Sequence, residues 1–128
     1  MDTADNRDLL MTYTVFHIGT YISLAAAILA AQAFGNAVLT GGVLRFSLAM
    51  FVLAGACGAI VGSHISDSKD WSDYKSMKMG PLGFPIATYW WWAKAEHIFF
   101  WAGVLVPVVL AVFNPSALGI VGSKGGGR

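Results

Sequence analysis

Three histidines, His17, His64 and His97, fall one in each of the chain's three long apolar segments. Imidazole can ligate a transition metal or haem iron, or hydrogen-bond a quinone carbonyl. Counted from the far end of each segment, His17 stands about 18 residues from Gly35, His64 about 20 from Leu44 and His97 about 16 from Phe113. At 1.5 Å per helical residue these are depths of roughly 27, 30 and 24 Å. The three rings therefore share one level, towards the N-terminal face. Lys94 and Glu96 accompany them inside the third segment. Ionisable groups at such depth are costly in lipid and mark a functional-site candidate. The bland reading of the same residues is a polar belt, with Lys94 snorkelling to the interface and Glu96 paired with it or with another cation.

The elements that must carry these groups follow from where charge is missing. Of 128 residues, 56% are hydrophobic and 12% charged, about half the charged share of a soluble domain. No charge lies between Asp8 and Arg45, between Arg45 and Asp67, or between Glu96 and Lys124. A soluble helix needs a polar stripe, and these stretches lack one. With a net charge of +1 there is no electrostatic case for a nucleic-acid partner. The expected fold class is an all-α integral membrane protein with three transmembrane helices, at 10–34, 43–65 and 85–113. Each is near the roughly 20 residues that cross a 30 Å hydrocarbon core. Pro85 suits a first helical turn, and Pro107 should kink the third span. No segment alternates as a strand does, and three spans cannot close a barrel.

A polar tail (1–9), a short loop (35–42), a polar loop (66–84) and a Gly-rich tail (114–128) complete the division. The short loop implies a tight antiparallel hairpin of the first two helices. In the polar loop, Trp71, Tyr74 and Met77 recur every three residues. They fit either a short helix lying in the interface with its rings among the headgroups, or an irregular loop. Ala31-Gln32-Ala33 has the form of a signal cleavage site, but the leading segment is acidic and the apolar stretch exceeds a signal core. It is read as a retained helix.

Arg7, Lys69, Lys75, Lys78 and Lys94 stand on one side against Arg45, Lys124 and Arg128 on the other. This favours a cytoplasmic N-terminus in a bacterial inner membrane. Helix association in lipid relies on small residues. Gly19, Ser23, Ala27 and Ala31 recur every four residues in the first helix, as do Ala54, Gly58 and Gly62 in the second; two facing ridges are expected. The third helix carries Trp90, Trp91, Trp92, Phe99, Phe100 and Trp101, which suit lipid, a partner subunit or a bound planar molecule. Cys57, the only cysteine, reads as a small packing residue.

The sequence contains no HExxH, no cysteine pair, no helical His at i, i+4, no phosphate loop and no nucleophile elbow. Three helices with histidines at one face resemble the haem- and quinone-binding anchor subunits of succinate dehydrogenase. His64 followed by Asp73-Tyr74 is similar to the His…Asp-Tyr element of one such anchor, at a shorter spacing. Ala93-Lys-Ala-Glu-His97 with Trp101 resembles the bacteriochlorophyll-binding helix of light-harvesting polypeptides, which span the membrane once. With so little mass outside the membrane, the expected role is a non-enzymatic structural or accessory subunit of a homo-oligomer or larger membrane complex. The alternatives are a redox anchor binding haem, metal or quinone near His17, His64 and His97, and an ion- or proton-conducting oligomer using Glu96 and Lys94.

Overall fold

The computed structural model describes residues 3–34, 39 and 41–114. The chain runs α1 (Thr3–Ala33), α2 (Gly41–Ser63), α3 (Trp71–Ser76), β1 (Lys78–Met79), a 3₁₀ turn (Pro81–Gly83), β2 (Ala87–Thr88) and α4 (Tyr89–Phe113). It is an all-α membrane protein in which α1, α2 and α4 are long and apolar enough to span a bilayer. Their 31, 23 and 25 residues correspond to about 46, 34 and 37 Å of helix. Most of the short loop expected over 35–42, and all of the tail beyond Asn114, lie outside the described residues.

α2 is the middle element and packs on both α1 and α4. It buries Ser47, Phe51, Ala54, Cys57, Gly58 and Val61, a stripe of three- and four-residue steps that turns one helical face inward. Glycines set the closest approaches. A Cβ at Gly62 would stand 3.1 Å from Thr14 Cγ2, and one at Gly58 would stand 3.4 Å from Ile18 Cγ1. From the α4 side, a Cβ on Gly103 would meet Phe51 Cε1 at 3.0 Å and Met50 Cβ at 3.1 Å. On α2, Ala54 is fully buried beside Gly58, as in a packed face. The α1 ridge expected opposite it is the point of difference. α1 meets α2 through Thr14 and Ile18, while Gly19 opens onto empty space and Ser23 and Ala27 are exposed. The reason is angular: Gly19 sits 100° around the helix from Ile18, so its ridge starts on another face. α4 continues past Pro107 to Phe113.

Beyond shifts of one or two residues at the end of α1 and at both ends of α2, three differences from the sequence reading stand out. The polar N-terminal tail is helical from Thr3. Arg7 there donates from Nη2 to the Ile65 carbonyl at 2.7 Å and from Nη1 to the Lys69 carbonyl at 3.3 Å. It thus ties α1 to the turns that follow α2, where the Ile65 carbonyl also accepts from Ser68 Oγ at 2.9 Å. The third span begins at Tyr89 rather than Pro85, because residues 86–88 are spent on pairing with β1. Lys78 stands opposite Thr88 and Met79 opposite Ala87, antiparallel.

The third difference concerns the polar loop, where the short helix forms with its Tyr74 ring buried in the protein and Trp71 packed against it. Asp70 caps it through Asp73 N–H at 2.8 Å. Tyr74 is completely buried and donates its hydroxyl to the Val61 carbonyl at 2.8 Å. Trp71 stacks on Tyr74 with ring centroids 5.8 Å apart. Val61, Ile65, Tyr74 and Met79 form one core, with Leu10, Trp71, Tyr89 and Trp92 around it. Residues 66–88 are therefore a cap seated on the helix ends, fastened to α4 where Trp92 Nε1 donates to the Met79 carbonyl at 2.8 Å.

Candidate functional site

Glu96 lies two turns into α4 and is 2% exposed. Its carboxyl sits over Gly58 of α2, where an added Cβ would touch Glu96 Cδ and Oε1 at 3.4 Å. An added methyl there would be in ordinary van der Waals contact, so the acid packs close against the α2 backbone at Gly58. From α1, Tyr21 (also 2% exposed) donates its hydroxyl to Glu96 Oε1 at 2.6 Å. The Tyr21 ring lies against Phe100 with centroids 5.2 Å apart, and Phe100 against Phe51 at 6.2 Å. A carboxyl and a phenol from two different helices thus meet inside an apolar shell, where a hydrogen bond is strengthened and an unpaired partner would be expensive.

Lys94 has no part in this pair. It is exposed, with Nζ 3.6 Å above the Trp90 ring and 5.9 Å from that of Trp91. Two residues on one helix separated by two positions point about 200° apart, so Lys94 and Glu96 cannot face the same partner. Among the described residues no cation pairs with Glu96; the acid's partner is Tyr21. Lys94 instead snorkels onto an aromatic face.

The histidines are partly brought together. His17 and His97 have ring centroids 5.8 Å apart. In each of the three histidines Nδ1 contacts the carbonyl four residues back: His17 to Tyr13 at 2.8 Å, His64 to Ile60 at 2.9 Å and His97 to Ala93 at 2.7 Å. A carbonyl only accepts, so Nδ1 carries the proton in all three, and the coordinating lone pair of a neutral ring is on Nε2. On His97 that lone pair accepts from the Tyr13 hydroxyl at 2.8 Å. The Tyr13 ring also lies 3.8 Å from that of His17, centroid to centroid. His64 stays with its own helix, its Nδ1 also 3.1 Å from Ser63 Oγ. Tyr74, of the Asp-Tyr pair that follows His64, has its hydroxyl committed to Val61. Among the described residues no group of three His, Cys, Asp or Glu side chains could hold a metal ion.

Tyr13 and Tyr21 were missed by reading the sequence for its rarer groups. Their signal was spacing: Tyr13, His17 and Tyr21 recur every four residues and share one face of α1. The other predicted packing residues are dispersed. Ala27 and Ala31 border an apolar cleft of about 390 Å³ between the helices, with Phe51, Gly103 and Pro107 opposite. Gly19 and Ser23 face outward. No protein-family model, curated protein or solved structure matches the chain.

Proposed function

We propose that the chain is a structural or accessory subunit of a membrane assembly, formed from its own copies or with other membrane subunits. The observation that carries this reading is the outward face of α1. Gly19, Ser23, Ala26 and Ala30 are all exposed there, with open space above Gly19. Lipid offers no hydrophobic drive between helices, and small residues on a membrane helix serve close approach by another helix. Within the chain that service is performed by Gly58, Gly62 and Gly103, so the α1 strip is left for a helix from outside. In this reading the Lys/Arg distribution favours a cytoplasmic N-terminus and cap, in a bacterial inner membrane. Isolation from native membranes in a mild detergent, followed by mass determination of the intact particle, tests it. More than one chain per particle is expected; a clean monomer without partners overturns the proposal.

The pairing of His17 with His97 favours a second reading, a redox anchor whose site uses two histidines rather than three. Metal–nitrogen bonds of about 2 Å place two imidazoles on one ion about 5–6.5 Å apart, centroid to centroid, and the observed spacing is 5.8 Å. Both rings have Nδ1–H held by a backbone carbonyl, the second-shell arrangement that orients ligating histidines, and ligation by His97 would displace the Tyr13 hydroxyl from its Nε2. An absorption spectrum with metal analysis decides: a protein with neither a Soret band nor stoichiometric metal removes the haem and metal forms. A conducting path that needs Glu96 and Lys94 together draws no support from their opposite orientations.

A further inference from the structure

We propose that the tip of the β1–β2 hairpin, Pro81–Ile86, is a foot that rests in the lipid interface beside α4. It takes the place that the sequence reading gave to Trp71 and Tyr74. Both of those rings pack into the cap core, and the apolar surface has moved to the hairpin tip. Leu82 is 96% exposed, Phe84 64% and Ile86 58%.

The tip is built to a fixed shape. A Cβ at Gly80 would collide with the Phe84 carbonyl oxygen. Phe84 N–H donates to the Pro81 carbonyl at 3.2 Å, and Ile86 N–H to the Met79 carbonyl at 3.3 Å. Leu82 itself holds φ 56° and ψ 25°, and Gly83 follows with φ 81°. Only small or short polar residues visit that left-handed region easily. A leucine held there, almost wholly exposed, spends backbone strain to present an apolar side chain, which a turn made only for chain reversal does not require.

Lipid, rather than a protein, is the occupant the surroundings favour. No charged residue occurs between Lys78 and Lys94, although the rest of the cap is the most charged part of the chain. The same uncharged run carries exposed Trp90 and Trp91 on the first turn of α4, where membrane helices place their aromatic belts. The hairpin also sits beside the first turns of α4, since Trp92 donates to Met79 and the Met79 side chain packs with Val61. Three residues separate Met79 from Leu82, a reach of at most about 10 Å. Lys94 over Trp90 marks the charged edge of the same belt.

The test uses the full chain carrying Cys57→Ala and Leu82→Cys, labelled with an environment-sensitive fluorophore. It is reconstituted in phosphatidylcholine–phosphatidylglycerol vesicles brominated at a shallow or a deep acyl position. The expected result is stronger quenching by shallow bromine, a depth of about 5–10 Å into the headgroup–acyl boundary, and little quenching by aqueous iodide. Full access to iodide with no bromolipid quenching overturns the proposal. So does protection from iodide that appears only in native membranes and not in vesicles of the purified protein, because a protein partner then covers the tip. Where the Leu82→Cys chain does not fold, Phe84→Cys serves in the same assay with the same outcomes.

Discussion

The Tyr21 hydroxyl reaches across from α1 to the Glu96 carboxyl of α4 at 2.6 Å, and both residues are buried over Gly58 of α2. Three helices meet at this one hydrogen bond. Removing the phenol hydroxyl leaves a carboxyl without its partner in an apolar shell, which costs about 1–3 kcal/mol, more than the bond's net worth when both partners are present. Tyr21→Phe is therefore expected to lower thermal stability in nanodiscs clearly, and Glu96→Gln less, since an amide oxygen still accepts from Tyr21. The double variant should be less destabilised than the sum of the singles. Thermal unfolding of the four proteins checks the non-additivity.

At the other end of α2, Ser47 is wholly buried, and among the described residues its hydroxyl is the buried side-chain group with no hydrogen-bond partner. A buried, unpaired hydroxyl works against folding by about 1–3 kcal/mol. Ser47→Ala is expected to be neutral or to raise the melting temperature, whereas Ser63→Ala, at an exposed site, should change little. Melting curves in one detergent decide between the two.

The glycine contacts between helices have little slack. An alanine at Gly103 would press on the Phe51 ring at 3.0 Å and on the Met50 Cβ at 3.1 Å. Overpacking of this kind typically costs about 1–3 kcal/mol. Gly103→Ala is expected to lower the melting temperature, while Gly19→Ala, over open space, should leave the isolated chain's stability unchanged. A comparable loss in both would contradict the packing described.

Tyr74 ties the cap to α2. Burial holds its phenol well above the ordinary value of about 10. Because the folded value exceeds the unfolded one, this contribution to stability is complete below about pH 10 and is lost as pH climbs towards the folded value. Wild-type protein should lose melting temperature progressively above pH 10. Tyr74→Phe should begin lower, by about 1 kcal/mol for the lost bond to Val61, and lack that alkaline component. Melting temperatures between pH 8 and 11 provide the check.

Much of the architecture was legible in the chain itself, because a span is a matter of length and missing charge. What was not legible depends on azimuth and on short non-local pairing. Depth counting brings His17, His64 and His97 to one level but does not say which way each points; only His17 and His97 face each other. α1 is rich in alanine on several sides, so a four-residue ridge was no guide to the face that meets α2. The two-residue strands at Lys78–Met79 and Ala87–Thr88 are too short for a periodicity signal, and their pairing moved the start of the third span past Pro85. The opposition of Lys94 and Glu96, by contrast, follows from helical geometry alone and was available from their two-residue spacing.

The most direct test of the proposed role as an assembly subunit is site-specific photocrosslinking in native membranes, with benzoylphenylalanine at Ser23 on the outward face of α1 and at Val52 on α2 as an exposed control. A protein adduct is expected from position 23, of the chain with itself or with another membrane protein, and mainly lipid adducts from position 52. Lipid adducts alone at both positions would contradict that role.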